Sequence, residues 1–249
     1  MSFQDHFSAV SAGYQQYRPS YPDELFYHLA HLCLAHDCAW DCATGTGQSA
    51  RVLVPYFQRV IATDASEAQV VMAATGSKKG LEFKTALAEK SGLADCSVDL
   101  ITVSQAAHWF DLDAFSDEVR RVLKPEGILA IWCYSLLSVE ADIDEAINHF
   151  YYEVVGPYWP FERKLVENGY QDIELPFSQL DVPNFEMLAH WDFSQLMGYL
   201  STWSALRLYI EEQGHDPLIE LAAKLTPIWG EAAQIKTIRW PLALRIWQN

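Results

Sequence analysis

The stretch Asp41-Cys42-Ala43-Thr44-Gly45-Thr46-Gly47 joins an apolar run to a helical one, with an acid at its head. Gly45 and Gly47 let the backbone bend tightly and approach a ligand without an intervening side chain, and the helix that follows offers free N–H groups. Such a turn can hold the pyrophosphate of a dinucleotide, hold a nucleoside that lacks phosphate, or serve only as a tight bend. GTGQSA also satisfies G-x-G-x-x-A, and Asp64 lies about 20 residues on, where a ribose-binding acid is expected. Spacing therefore leaves a dinucleotide site open. Asp41 weighs against it, because a carboxylate at the mouth of the first strand repels phosphates and attracts an ammonium group, while Asp64 can accept both hydroxyls of a ribose.

Two other constellations carry less chemistry. His28, His31, Cys33, His36 and Cys38 invite a zinc reading, but on a helix whose buried face is set by Leu25, Leu29 and Leu32 they spread around the cylinder without converging, so no metal is expected. Asp111, Asp113 and Asp117 read as a solvated helix start that favours its dipole.

The elements that position these residues follow from periodicity. Short apolar runs at 39–43, 59–64, 81–86, 98–104 and 127–134 alternate with helical patterns, as in a parallel sheet with crossover helices. Helices are expected over 49–57, after a Ser66/Gln69 capping box, and after the fourth strand, where Leu112, Phe115, Val119, Val122 and Leu123 share a face. Lys124 to Gly127 ends that last helix. Beyond 138 a helix carries Ile143, Ile147, Phe150 and Val154 inward; 156–161 is irregular, 170–177 reads as a strand, 192–211 as a helix and 237–247 as the closing strand. In a doubly wound sheet the first strand-to-helix turn, here 41–50, lies where ligands bind.

Composition bounds the rest. The 249 residues are half hydrophobic, enough for one large domain with a full core. A net charge of -16 disfavours nucleic-acid backbones and anionic membranes as partners. Neither a run of about 18 apolar residues nor a signal-like N-terminus is present, which predicts a cytoplasmic protein. The five cysteines form an odd set without C-x-x-C, so reduced, mostly buried thiols are expected.

The pattern D-x-A-x-G-x-G at 41–47, the acid in IATDAS, the stretch ALAEKSGLADCSVDLITVSQAAHWFD and EVRRVLKPEGILAIW resemble a class I S-adenosylmethionine-dependent methyltransferase. YQQYRPSYP (14–22), YWPFE (158–162), YLSTWSALRLY (199–209) and WPLALRIW (240–247) extend the resemblance, toward the branch that includes trans-aconitate methyltransferase-type enzymes. The resemblance implies an α/β, Rossmann-like seven-stranded sheet, mostly parallel with the last strand antiparallel, helices on both faces and a partly helical inserted cap. It implies one domain: an N-terminal lid or helix (1–37), a cofactor-binding core (38–135), sheet completion and substrate cap (136–235) and a final strand (236–249).

For S-adenosyl-L-methionine the resemblance implies that Asp41 binds the methionine ammonium through water, that backbone at Ala43, Thr44 and Gly45, with Gly47 in the same turn, packs on the cofactor, and that Asp64 holds the ribose and Ala65 the adenine face. Ala88 and Glu89 would meet the adenine edge, Ser104 and Gln105 would present backbone near the methionine, and Tyr14 and Arg18 would close over it, Arg18 toward the carboxylate. The family usually has glycine where this chain has Ala43; a methyl there fits if the backbone angle is negative and otherwise narrows the site. The expected reaction is methyl transfer to a small-molecule acceptor, a carboxylate if the branch carries to substrate. His108, after the fourth strand, is either a general base or a partner of nearby backbone. Trp109, with Phe110, walls the pocket; Trp159, Trp203 and Arg207 are candidates for its roof, along with Trp191 and Tyr199, Arg207 either binding a substrate carboxylate or pairing with an acid of the chain. The rival readings are a nicotinamide-dependent oxidoreductase and a cofactor-binding protein without turnover, the latter motivated by Ala43 alone.

Overall fold

Strands covered by helices on both faces need no alternation, and the central runs of this chain show that: β1 (Cys38–Cys42) is buried at every position, and β4 (Val98–Ser104) at all but its last. The computed structural model describes residues 17–75 and 78–249; Tyr14 lies outside them. Helix α1 (Asp23–Leu32) precedes β1, and α2 (Gln48–Leu53), β2 (Arg59–Asp64), α3 (Glu67–Ala74) and β3 (Leu81–Thr85) come before β4. Then follow α4 (Leu112–Val122) and β5 (Leu123–Tyr134). The order β3-β2-β1-β4-β5 is parallel throughout and reverses direction of travel between β1 and β4, which opens a crevice at their carboxyl ends.

The remaining elements are α5 (Ala141–His149) with a π-helical turn over Phe150–Val154, α6 (Arg163–Glu167), β6 (Ser178–Leu180), β7 (Phe185–Trp191), α7 (Phe193–Leu200), α8 (Ser204–Gln213), α9 (Leu218–Trp229) and β8 (Lys236–Gln248). Strand β8 runs antiparallel to β5. Its other edge takes both β7, opposite 236–242, and β6, opposite 246–248. The expected mixed α/β, Rossmann-like sheet is therefore present, with its outer position shared by two short strands, so that eight strands replace seven.

Side chains along the buried part of β5 alternate between the two faces of the sheet. Ile128, Ala130, Trp132 and Tyr134 face the cluster that holds α1 and the cap, whereas Leu129, Ile131 and Cys133 face the cluster with Phe115, Val119, Val166 and Tyr170. Tyr134 thus ends the strand on the side where the cap aromatics collect.

Four boundaries differ from the sequence reading. Leu123 starts β5 opposite Val98 instead of ending α4, and Lys124–Gly127 is a bulge within that strand, Glu126 having φ +62°. Residues 170–177 form no strand, because Tyr170 turns with φ +59° and Arg245 Nη1 occupies the carbonyls of Tyr170 and Gln171 at 2.7 Å each. The helix expected over 192–211 breaks after Leu200, where the Ser201 and Thr202 hydroxyls donate to the Gly198 and Tyr199 carbonyls at 2.7 and 2.6 Å. Strand β7 and helix α9 were not expected. Among the described residues no helix is long and apolar enough to cross a membrane.

Candidate active site

The turn after β1 is shaped by three positive φ angles at alternate residues, Ala43 (+54°), Gly45 (+55°) and Gly47 (+80°). The methyl at Ala43 therefore sits in a left-handed conformation, not at the negative angle that would accommodate it without strain, which costs on the order of 1 kcal/mol relative to glycine. At Gly47 an added Cβ would lie 2.8 Å from the Phe83 ring, so packing as well as φ excludes a side chain. At Gly45 nothing stands within 4 Å of the same position, which leaves a backbone surface open to a ligand.

Asp41 holds this turn from beneath. It is 0 % exposed, not at the mouth of the site, and accepts hydrogen bonds from Thr44 Oγ1 (2.5 Å), Thr102 Oγ1 (2.7 Å) and the Ala50 N–H (3.1 Å). The last of these comes from the first turn of α2, whose N-cap, Gly47, has no side chain to offer; Asp41 supplies the missing acceptor from the strand. Burial raises its carboxyl to about 6, against the three hydrogen bonds that favour the charged form.

Asp64, at the end of β2, joins two loops. Its Oδ2 accepts the Gly45 N–H at 2.8 Å and its Oδ1 the Ser66 N–H at 2.9 Å, and Ser66 in turn caps α3 as expected. Ala65 lies in the bend between them, partly exposed. Ala88 and Glu89 form a turn between Leu87 and Lys90, with Glu89 Oε1 accepting the Asp111 N–H at 3.0 Å, which ties this turn to the start of α4. Across the crevice, Ser49 Oγ and Ser104 Oγ approach to 3.3 Å. Gln105, at φ +54°, uses its side-chain amide to pair with the backbone of Tyr134, donating to the carbonyl at 3.0 Å and accepting from the N–H at 3.3 Å. Non-glycine residues in left-handed backbone thus flank the crevice on both strands, a form of stored strain that clusters at functional sites. Arg18 crosses above, its Nη1 donating to Tyr134 Oη at 2.6 Å with its guanidinium 5.7 Å from the Tyr199 ring centre.

His108 lies in a 3-10 turn (Ala107–Trp109) after β4, where its ring packs against Trp109 at 4.7 Å. Its Nδ1 meets Tyr170 Oη at 2.8 Å. Either tautomer of the neutral imidazole makes this contact, Nδ1 accepting from the phenol or donating to it. Burial, reinforced by the charge of Arg163, lowers the imidazole to about 3, so His108 is neutral and weakly basic. Burial pushes Tyr170 well above the usual phenol range, so the hydroxyl keeps its proton.

The cap brings Trp159 and Trp203 together at 5.8 Å, each also against Tyr151 at 5.0 and 5.4 Å, with Tyr199 on the far side of Trp203. Trp191 stacks further out on Tyr199 and Trp240. Arg207 is not part of this cluster: its side chain is 54 % exposed and pairs with Glu211 at 2.8 Å, one turn along its own helix. Besides Arg18, the arginine that reaches these aromatics is Arg163, 4.8 Å from the Trp159 ring centre and 5.8 Å from that of Tyr151; the sequence reading missed it because the irregular stretch before it gives no periodicity from which its direction could be read. The histidines and cysteines near α1 make local bonds, His31 and Cys33 to carbonyls one turn back and His36 to Ala30. No three metal-ligating side chains converge among the described residues.

Asp41→Ala strands three buried donors and is expected to cost on the order of 2–3 kcal/mol in urea titrations at pH 7. Asp41→Asn should recover most of that loss, since the amide oxygen can take the Ala50 N–H while a hydroxyl turns to accept from the amide nitrogen. The folded carboxyl holds its proton up to about pH 6, against an ordinary 3.8. The wild type therefore gains stability from this group as pH falls from about 6 to about 4, a gain that the Asn variant should lack.

The family described as Methyltransferase domain matches residues 40–131, from β1 into β5. A methyltransferase of Dictyostelium discoideum is 35% identical over 227 residues, 90% of this chain and 86% of that protein. A Saccharomyces cerevisiae protein classed as an S-adenosylmethionine-dependent methyltransferase is 31% identical over 148 residues, half of its own length and 57% of this chain. A solved structure described as a type II methyltransferase from Anaeromyxobacter dehalogenans superposes with a TM-score of 0.87 at 37% identity, covering 93% of this chain and 97% of that one. None of these relatives is an oxidoreductase, and the nicotinamide reading of the glycine pattern is set aside. Because the similarity runs through the cap as well as the crevice, the chain belongs to the class I S-adenosylmethionine-dependent methyltransferases.

Proposed function

We propose that the acceptor is a carboxylate of a small organic acid and the product its methyl ester. The observation that carries this reading is the state of His108, the one candidate base at the end of β4: neutral, lowered to about 3, with Nδ1 occupied by Tyr170. A hydroxyl or ammonium acceptor must lose a proton on the way to product, and a base this weak serves that poorly. A carboxylate is already ionised at neutral pH and has no proton to lose. The resemblance of 14–22 and 199–209 to the trans-aconitate-type branch points the same way.

Bound S-adenosylmethionine supplies a methyl group on a cationic sulfur. Attack by a carboxylate oxygen on that carbon would break the carbon–sulfur bond with its electron pair passing to sulfur, neutralising anion and sulfonium together, and would require no proton transfer. What remains for the protein is alignment and exclusion of water. Gly45, open above its backbone, would form the floor of the cofactor site with Ala43, Thr44 and Gly47, and Asp64 and Ala65 would hold ribose and adenine. Ala88 and Glu89 would meet the base, while Arg18, Ser104 and Gln105 would surround the methionine end. Asp41 serves by fixing the turn.

Gly45→Ala is expected to cost only about 1 kcal/mol of stability, through its positive φ, while calorimetry shows S-adenosylhomocysteine binding weakened by about tenfold or more as the methyl fills the floor. Incubation with methyl-labelled S-adenosylmethionine and small organic acids should yield a product from which mild alkali releases labelled methanol. A label that survives alkali identifies an ether or amine product and rejects the carboxylate.

A further inference from the structure

We infer that Arg163, with the indole N–H of Trp159 beside it, seats a carboxylate of the methyl acceptor. This rests on the reading of the acceptor as an organic acid. Arg163 begins α6 and donates through Nε to Tyr151 Oη at 2.9 Å. The Tyr151 hydroxyl donates in turn to Glu167 Oε1 at 2.9 Å, so that acid meets Arg163 only through the phenol. Among the described residues, neither Nη of Arg163 has a hydrogen-bond or ion-pair partner. Arg51 and Arg245 also do without a carboxylate but spend Nη groups on backbone carbonyls, whereas those of Arg163 are left for a partner from outside the chain.

The surroundings of Arg163 are aromatic and restrictive. The guanidinium lies over the Trp159 ring at 4.8 Å and over Tyr151 at 5.8 Å, which fixes its plane and leaves the Nη edge as a two-donor fork of the kind that matches a carboxylate. Trp159 Nε1 is buried and has no partner, a third donor that a ligand oxygen would satisfy. The charge of Arg163 also reaches His108, Cys133 and Tyr170, which places it on the same side as the neutral imidazole after β4. The cation at Arg163 favours an anionic acceptor, and the weakly basic His108 offers no charge of its own against one.

The test uses the wild-type chain and Arg163→Met, Arg163→Gln and Arg163→Lys, each first titrated with S-adenosylhomocysteine by calorimetry. Failure of the wild type to bind that nucleoside counts against the cofactor site itself, independently of Arg163. With the nucleoside bound, benzoate, cinnamate and (E)-but-2-enedioate are titrated beside benzamide and cinnamamide. The inference expects at least one acid to bind, with its amide weaker by about tenfold or more, Arg163→Met and Arg163→Gln weakening the acid by a similar factor and Arg163→Lys by less, since lysine keeps the charge and loses the fork. Nucleoside affinity should stay within about twofold in all three variants, a pattern that mere loss of packing would not give. Equal binding of acid and amide, undiminished acid binding in Arg163→Met, or no acid binding to the loaded wild type would each overturn it.

Discussion

A carboxylate with no exposed surface, at the end of the first strand, is the point from which the crevice is built. Asp41 collects donors from the turn that follows it, from the neighbouring strand and from the first turn of α2, and so sets strand, turn and helix relative to one another in one cluster. Burying a charge there is costly, as its raised pKa records, and the hydrogen bonds only partly offset the cost. What results is a turn held in left-handed backbone at Ala43, Gly45 and Gly47 with its outer face clear. Asp64 completes the arrangement from β2 by taking the Gly45 N–H. The crevice is thus shaped before any ligand arrives, and a methyl-transfer enzyme, which acts chiefly through alignment, depends on such preorganisation.

The acceptor side follows a different electrostatic plan. Its titratable groups are held in one state by burial, His108 lowered and Tyr170 raised. With Nδ1 taken up by the Tyr170 phenol and the imidazole lowered to about 3, a residue whose type suggests a base is a weak one. Strong cation stabilisation at the reacting sulfur would retard a step that neutralises it, and the one carboxylate in the ring network, Glu167, is engaged by the Tyr151 hydroxyl.

Periodicity revealed the five parallel strands and the turn after the first because those runs are continuous and bounded by glycine, acid or capping residues. Ser66 and the stripe through Phe115, Val119 and Val122 read correctly for the same local reason. Residues 170–177 misled, since Tyr170 and Ile173 are buried by the sheet's outer face while Arg245, distant in sequence, occupies the backbone carbonyls that a strand would use. Strand β7 hides because only Met187 is fully buried on it, and α9 carries Pro227 within an otherwise regular stripe of Leu218, Leu221, Leu225 and Trp229. In the site, the acid and glycines were legible from type and spacing, whereas the inward direction of Asp41 depends on Thr102, a strand away. Arg207 and Arg163 look alike in sequence. Only packing separates an arginine paired one helical turn along from one held over two rings.

The central claim is that this site moves no proton when it transfers a methyl group. The most direct measurement is kcat against pH, at saturating S-adenosylmethionine and a carboxylate acceptor, for the wild type and for His108→Ala. The account predicts a wild-type profile flat from about pH 5.5 to about pH 9, because the acceptor is ionised and His108 neutral across that range. A rising limb centred near the ordinary histidine value of 6.5, lost in the variant, would make His108 a general base and contradict it.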